Sequence, residues 1–216
     1  MKTENEIGNN NDFRKSLFNN SVSFLLGVTQ IQDLPEDFTP EVAFFGRSNV
    51  GKSSLLNSIT NKNKLAFTSK SPGRTRELNF FSLKHNNKTL INIVDMPGYG
   101  FAKASKEQIK KWTKLSDNYL KSRKNLRRVF LLIDARRSIM PVDINIMDIM
   151  DDYAVSYQIV LTKIDKILEV ENLTELVLKE IEKRKAVFPN ILITSSKKKY
   201  GVNAVSYTHL RAHETV

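Results

Sequence analysis

Strands and helices alternate along this chain, and that rhythm predicts an α/β domain. The expected architecture is a mostly parallel central sheet with one antiparallel edge strand and helices on both faces. Three observations carry the prediction. The apolar run EVAFF (Glu41–Phe45) leads through a glycine-rich turn into the helical stretch GKSSLLNSIT. Two later apolar runs, RRVFLLID and YQIVLT, are each followed by a helix-compatible segment. ELNFFSL and TLINIVD alternate polar and apolar residues on either side of KHNNK. That pattern reads as a hairpin and supplies the antiparallel edge.

Taken in order, residues 1–20 form a polar extension that we expect to be disordered, MKTENEIGNNND being its most polar part. The stretch from Phe13 to about Pro40 leads into the domain, part of it extended, and ends in the turn-rich DLPEDFTP. Residues 61–76 are a polar loop. A helix is predicted over Ser105–Lys124, with Ile109, Trp112, Leu115 and Tyr119 on its packed face. Lys110, Lys114, Lys121 and Lys124 fall near one another on a different face. Further helices are predicted over Pro141–Tyr153 and Glu171–Ala186, and NILITS is a last strand. One domain is therefore expected over residues 21–203. Residues 204–216, VSYTHLRAHETV with the preceding Ala204, lack any amphipathic period. They read as a scar of cloning or sequence read-through, leaving the last strand without a full covering helix.

A chain of 216 residues with 40% hydrophobic content can bury one proper core. The absence of cysteine excludes disulfides and thiolate metal sites and suits a reducing cytoplasm. No apolar signal region opens the chain, and VFLLI and SFLLGV are far too short to cross a bilayer. The expectation is a cytoplasmic monomer with no membrane partner. Lys and Arg number 34 against 23 Asp and Glu, a net charge of +11, which points to a polyanion such as RNA. Arg127, Arg128, Arg136 and Arg137, EKRK (182–185) and KKK (197–199) add to the lysines of the 105–124 helix.

The chemistry begins at FFGRSNVGKSSLLN. Gly46, Gly51, Lys52 and Ser53 match G-x-x-x-x-G-K-[ST] between a strand and a helix. This is the signature of a P-loop NTPase fold. Backbone N–H groups of Arg47, Ser48, Asn49, Val50 and Ser54 complete the cradle, together with the helix N-terminus. Lys52 can bridge the β- and γ-phosphates, and the Ser53 hydroxyl can ligate Mg²⁺. In VDMPGYG a strand ends at Asp95, followed by Met96, Pro97 and Gly98. The Asp95 carboxylate can hold Mg²⁺ through a water, and the Gly98 N–H can reach a γ-phosphate. The base reader is LTKID. Asp165 can accept from guanine N1–H and N2–H₂, whereas adenine offers no donors there. Thr162, Lys163 and Ile164 lie beside it, Lys163 along base and ribose. TSS (Thr194, Ser195, Ser196) also follows a strand and can present N–H groups to guanine O6.

GRSNVGKSSLLN, SPGRTRELNFF, VDMPGYGFAK, LTKID and SS, in this order, resemble the EngB family of bacterial ribosome-biogenesis GTPases. The resemblance covers about residues 20–203. It implies GTP and GDP as ligands, Mg²⁺ as cofactor and the large ribosomal subunit with its rRNA as partner. It also implies a link to cell division and septation. It makes Thr75 the switch I threonine that joins Ser53 and Asp95 at Mg²⁺, with Gly73, Arg74, Arg76 and Glu77 flanking it. Related GTPases with Asn at the position of Asn49 hold K⁺ beside the β–γ bridge, so the catalytic contributions are expected from Lys52, Asn49 and Thr75, with Arg74 acting in cis as the other source of charge stabilisation. Tyr99 stands where a Ras-like GTPase has Gln, so intrinsic hydrolysis should be slow, on the order of 10⁻⁴ to 10⁻² s⁻¹. A GTPase of tRNA modification or membrane-linked signalling is the alternative, and a P-loop ATPase or kinase a more distant one.

Overall fold

The structure, a computed structural model, describes residues 22–36, 38–62, 65, 77–86, 88–100 and 106–206, with residues 106–112 described by their backbone alone. Its strands are β1 (Val22–Val28), β2 (Glu41–Gly46), β3 (Leu78–His85), β4 (Lys88–Asp95), β5 (Leu126–Asp134), β6 (Tyr157–Thr162) and β7 (Leu192–Ile193). Its helices are α1 (Lys52–Ile59), α2 (Lys106–Ser122), α3 (Pro141–Asp152) and α4 (Val170–Ile181). The strands form one sheet in the order β1-β3-β4-β2-β5-β6-β7. β4, β2, β5, β6 and β7 run parallel, and β3 runs against them. The antiparallel pairing lies at the edge the hairpin predicts. The N-terminal extension adds β1 there, antiparallel to β3 with a bulge between Phe24 and Leu26.

Period-two alternation sorts the core into two layers. Ala43, Phe45, Val129, Leu131, Ile133, Ile159 and Leu161 face one side, where Leu115 and Tyr119 of α2, Met147 and Met150 of α3, and Val177 and Ile181 of α4 cover them. Val42, Phe44, Phe130, Leu132 and Val160 face the other, under Leu55, Leu56 and Ile59 of α1. Strands buried on both faces are what a parallel sheet requires. The packed positions predicted for Leu115 and Tyr119 are fully sequestered, while the side chains at 109, 110 and 112 lie outside the described residues.

Three boundaries differ from the sequence expectation. α4 stops at Ile181 rather than Ala186, because Arg184 turns away to Asp148 and Asp151 of α3 and the Ala186 N–H donates to Asp151. β7 is only two residues long. Asn190 gives its carbonyl to Gln158 Nε2 (2.8 Å), and Ser195 pairs with Tyr200 instead. Residues 204–206, expected to fall outside the domain, continue a helical turn over 202–206. Val202 and Val205 bury against Val160 and its neighbours, so part of the covering helix is present. Residues 207–216 lie outside the described residues.

β2 is where the topology switches. It lies between β4 and β5, and the chain crosses it in passing from β4 to β5. A crevice at the carboxyl ends of the strands opens at such a point. One network holds this strand from below. Glu41, wholly buried, accepts from Tyr119 Oη (2.8 Å), Arg123 Nε (2.9 Å) and Asn125 Nδ2 (3.2 Å). Burial and the Glu41 charge push the Tyr119 phenol well above its ordinary range, so it donates at every physiological pH.

Candidate functional site

Every described motif residue lies at the carboxyl end of a parallel strand. Residues 46–54 span the β2–α1 turn, Asp95 ends β4, Thr162 ends β6, and Thr194–Ser196 follow β7. Chain positions more than a hundred residues apart thus converge on one crevice. Residues 66–76, with Gly73, Arg74, Thr75 and Arg76, lie outside the described residues, and Glu77 is exposed just before β3.

Gly51, which caps α1, has φ of 109°, a left-handed conformation that favours glycine. It turns the chain so that the first N–H groups of α1 open towards the crevice, an arrangement suited to an anion. Asn49 is also left-handed, at φ 64°. Lys52 is buried and hydrogen-bonded to Asp95, itself only 4% exposed. An ammonium and a carboxylate are thereby paired at the place where the sequence motif expects phosphate and metal. The donor types fit Mg²⁺, which prefers hydroxyl and carboxylate oxygens together with phosphate.

The segment after Asp95 is laid onto the phosphate loop. Met96 N–H donates to Phe44 O (3.0 Å), Tyr99 N–H to Gly46 O (3.2 Å), and Ser48 N–H to Tyr99 O (3.0 Å). Gly98 allows this approach, since a Cβ there would stand 3.3 Å from Gly46 O, Ser48 N and Ser48 Oγ. Any γ-phosphate-dependent movement of the loop therefore reaches Tyr99 directly. The Tyr99 ring packs edge-on against Phe45, and its hydroxyl donates to Asp143 Oδ1 at the head of α3 (2.7 Å). Burial and Asp143 push this phenol well above its ordinary range. A neutral phenol committed to Asp143 does not stand in for a water-orienting Gln.

At the base-reading end, Ser195 Oγ donates to Asp165 Oδ1 (2.6 Å), and Lys198 N–H donates to Ser195 Oγ (3.1 Å). The Ser195 bond lowers the Asp165 carboxyl below its ordinary value, so the side chain is an acceptor at working pH. Thr194 Oγ1 donates to Leu161 O (2.9 Å). Thr162 Oγ1 donates to Val50 O (2.7 Å), which ties β6 to the phosphate loop and fixes the distance between the two halves of the site.

Sequence reasoning missed Asp134. It ends β5 and accepts from Arg136 Nε (2.9 Å), Arg136 Nη2 (2.6 Å) and Lys163 Nζ (2.9 Å). Burial alone would raise this carboxyl, but Arg136 and Lys163 outweigh it and hold it well below the carboxylate range. Its contribution to stability is complete above the unfolded carboxylate value, near pH 4, and is lost as acidification approaches the folded value. Lys163, left-handed at φ 59°, also donates to Asn49 O, bridging the base and phosphate loops. The available signal was positional: a carboxylate at the end of a parallel strand beside the switch point.

The relatives of this chain show its family. A family model described as 50S ribosome-binding GTPase matches residues 41–163. A probable GTP-binding protein EngB of Hyphomonas neptunium is 48% identical over 189 residues, covering 86% of this chain and 85% of the relative. The chain belongs to the EngB family of GTP-binding proteins. A probable EngB of Caulobacter vibrioides is 49% identical over 187 residues, 86% of this chain and 80% of the relative. Among solved structures, a probable GTP-binding protein engB superposes with a TM-score of 0.66 at 22% identity, over 82% of this chain and all of that one. Aquifex aeolicus Era bound to GDP·AlF₄⁻ superposes at 0.67 and 25% identity, over 81% of this chain and 56% of that one. As an EngB family member this protein binds guanine nucleotides and hydrolyses GTP. Among the described residues no helix is long and apolar enough to cross a membrane.

Proposed function

We propose that this EngB family member is a GTP-driven switch in assembly of the large ribosomal subunit, docking when GTP is bound and leaving after hydrolysis. The observation that carries the nucleotide half is the Asp165–Ser195 pair, 2.6 Å apart, just past β6, the strand whose last residue, Thr162, fastens it to the phosphate loop. A fixed, ionised acceptor at that end selects guanine by its two donors. On this reading Lys52 releases Asp95 and takes the β- and γ-phosphates. Ser53 and Asp95, with Thr75, are the donors for Mg²⁺, which supplies charge neutralisation on the phosphate oxygens. The subunit half is supported by the family description and by the net charge of +11. Its cellular counterpart is a cytoplasmic protein whose loss impairs growth and division.

Co-sedimentation tests this reading. The protein should pellet with purified large subunits in the presence of a non-hydrolysable GTP analogue and stay in the supernatant with GDP. Equal pelleting in both states, or none in either, contradicts it.

Slow hydrolysis follows from Tyr99 being committed to Asp143. The missing charge stabilisation is assigned to K⁺ held at Asn49, whose backbone is already turned into the left-handed region. Exchanging K⁺ for Na⁺ at constant ionic strength should lower single-turnover hydrolysis by about tenfold or more. Equal rates in the two salts would remove K⁺ from the mechanism.

A further inference from the structure

At the opposite pole from the nucleotide crevice, the amino ends of β5, β6 and β7 floor a cleft of about 810 Å³. Its walls are the C-terminal end of α2, the turn after α3 and the segment 188–192. Among the described residues, Lys121, Arg123, Lys124, Arg127 and Arg128 line it, and no acidic side chain does. Two arginines here are already paired. Arg123 is neutralised by Glu41, and Arg184 by Asp148 and Asp151. Among the described residues, no carboxylate lies within ion-pair distance of the other four.

Arg128 is the most constrained of them. It is 9% exposed, its guanidinium lies 4.0 Å over the Phe188 ring, and its Nη1 donates to Gln158 Oε1 (3.2 Å). Gln158 is held in turn by Asn190 O. Arg128 Nε is buried with no hydrogen-bond partner among the described residues. Burial holds this guanidinium below its ordinary value, with no carboxylate offsetting it. At the rim, Lys121 Nζ stands 5.8 Å over the Tyr153 ring.

We propose that this groove binds the phosphodiester backbone of an unpaired RNA strand. The proposal rests on the ribosomal reading for the choice of RNA and goes beyond it in naming the surface. Unmatched cations beside aromatic rings are the means by which proteins hold single strands. A concave cleft of this size suits a short single strand, whereas duplex RNA is gripped across its broad minor groove. Protein interfaces are depleted of lysine, whereas Lys121 and Lys124 both line this groove. The groove is separate from the crevice, yet α2, which follows in the chain the loop that is hydrogen-bonded to the phosphate loop, ends at this wall. RNA seated here therefore touches the far end of the helix that follows that loop in the chain.

The test measures fluorescence anisotropy of a labelled twelve-residue oligouridylate against salt, with affinity for fluorescent GDP measured in parallel. Lys124→Gln with Arg127→Gln, both exposed positions, should weaken the oligonucleotide about tenfold. It should also flatten the plot of log affinity against log salt by about 1.4, two contacts at roughly 0.7 each. Phe188→Leu should weaken binding without changing that slope. Lys84→Gln with Lys88→Gln, the same charge loss on the other half of the sheet, should change neither. GDP affinity should be constant throughout. The proposal is overturned if the wild type does not bind the oligonucleotide, or if the two double variants behave alike. It is also overturned if polyglutamate of equal length competes as well as oligouridylate, which would mark a surface for acidic protein. Failure of the wild type to pellet with large subunits, with the groove effects intact, would count against the ribosomal reading and for the groove. Normal pelleting of the Lys124/Arg127 variant with unchanged oligonucleotide affinity would do the reverse.

Discussion

An Asp165→Asn variant should lose GTP and GDP by about 10³- to 10⁴-fold and gain xanthosine nucleotides in exchange. Guanine presents two donors on this edge, N1–H and N2–H₂, and a carboxylate accepts both. An amide has one accepting and one donating arm, so its NH₂ would face the guanine NH₂ and leave both unsatisfied. Xanthine carries an oxygen at C2. Its N1–H then donates to the amide oxygen and its C2 oxygen accepts from the amide nitrogen. The surroundings tolerate the change, because Ser195 donates to Oδ1, which an Asn side chain retains. Displacement of fluorescent GDP or XDP by GTP, XTP and ATP reads the outcome. A variant that keeps its preference for GTP would show that Asp165 does not read the base.

Lys52→Ala should cost both binding and stability, for separable reasons. Two charge-assisted bonds to phosphate, at roughly 1.5–3 kcal/mol each, correspond to a loss of triphosphate affinity of about 10² to 10⁴. Without nucleotide, Lys52 is paired to the buried Asp95. Removing one partner of such a pair costs about 3–5 kcal/mol and should lower Tm by about 10 °C for a domain of this size. Combining Lys52→Ala with Asp95→Asn should recover much of the Tm and none of the affinity. Thermal melting of the nucleotide-free proteins and titration with GTP separate the two effects. An unchanged Tm in Lys52→Ala would mean that the pair contributes nothing to the resting fold.

The central sheet was legible because buried parallel strands carry an unmistakable pattern. Val42 and Phe44 pack on one layer and Ala43 and Phe45 on the other. The phosphate loop was legible because its glycine answers a local backbone demand, the left-handed turn at Gly51. β1 was harder to read. Phe24 and Leu25 are 57% and 41% exposed, so an edge strand shows no clean alternation. The Glu41 network joins residues 78 and 82 positions away, and nothing in a single sequence announces such contacts. Tyr99 was read as the residue where Gln is missing, and its partner Asp143 comes from a distant helix that no motif points to. Asp134 has no motif of its own, only its place at the end of β5.

Nucleotide exchange and subunit docking meet in one measurement, the pelleting of wild type and Asp165→Asn with large ribosomal subunits in non-hydrolysable GTP and XTP analogues. Wild type should pellet only with the GTP analogue, and the variant only with the XTP analogue. If both pellet regardless of which nucleotide is present, occupancy of the crevice does not govern docking, and the switch proposed here is wrong.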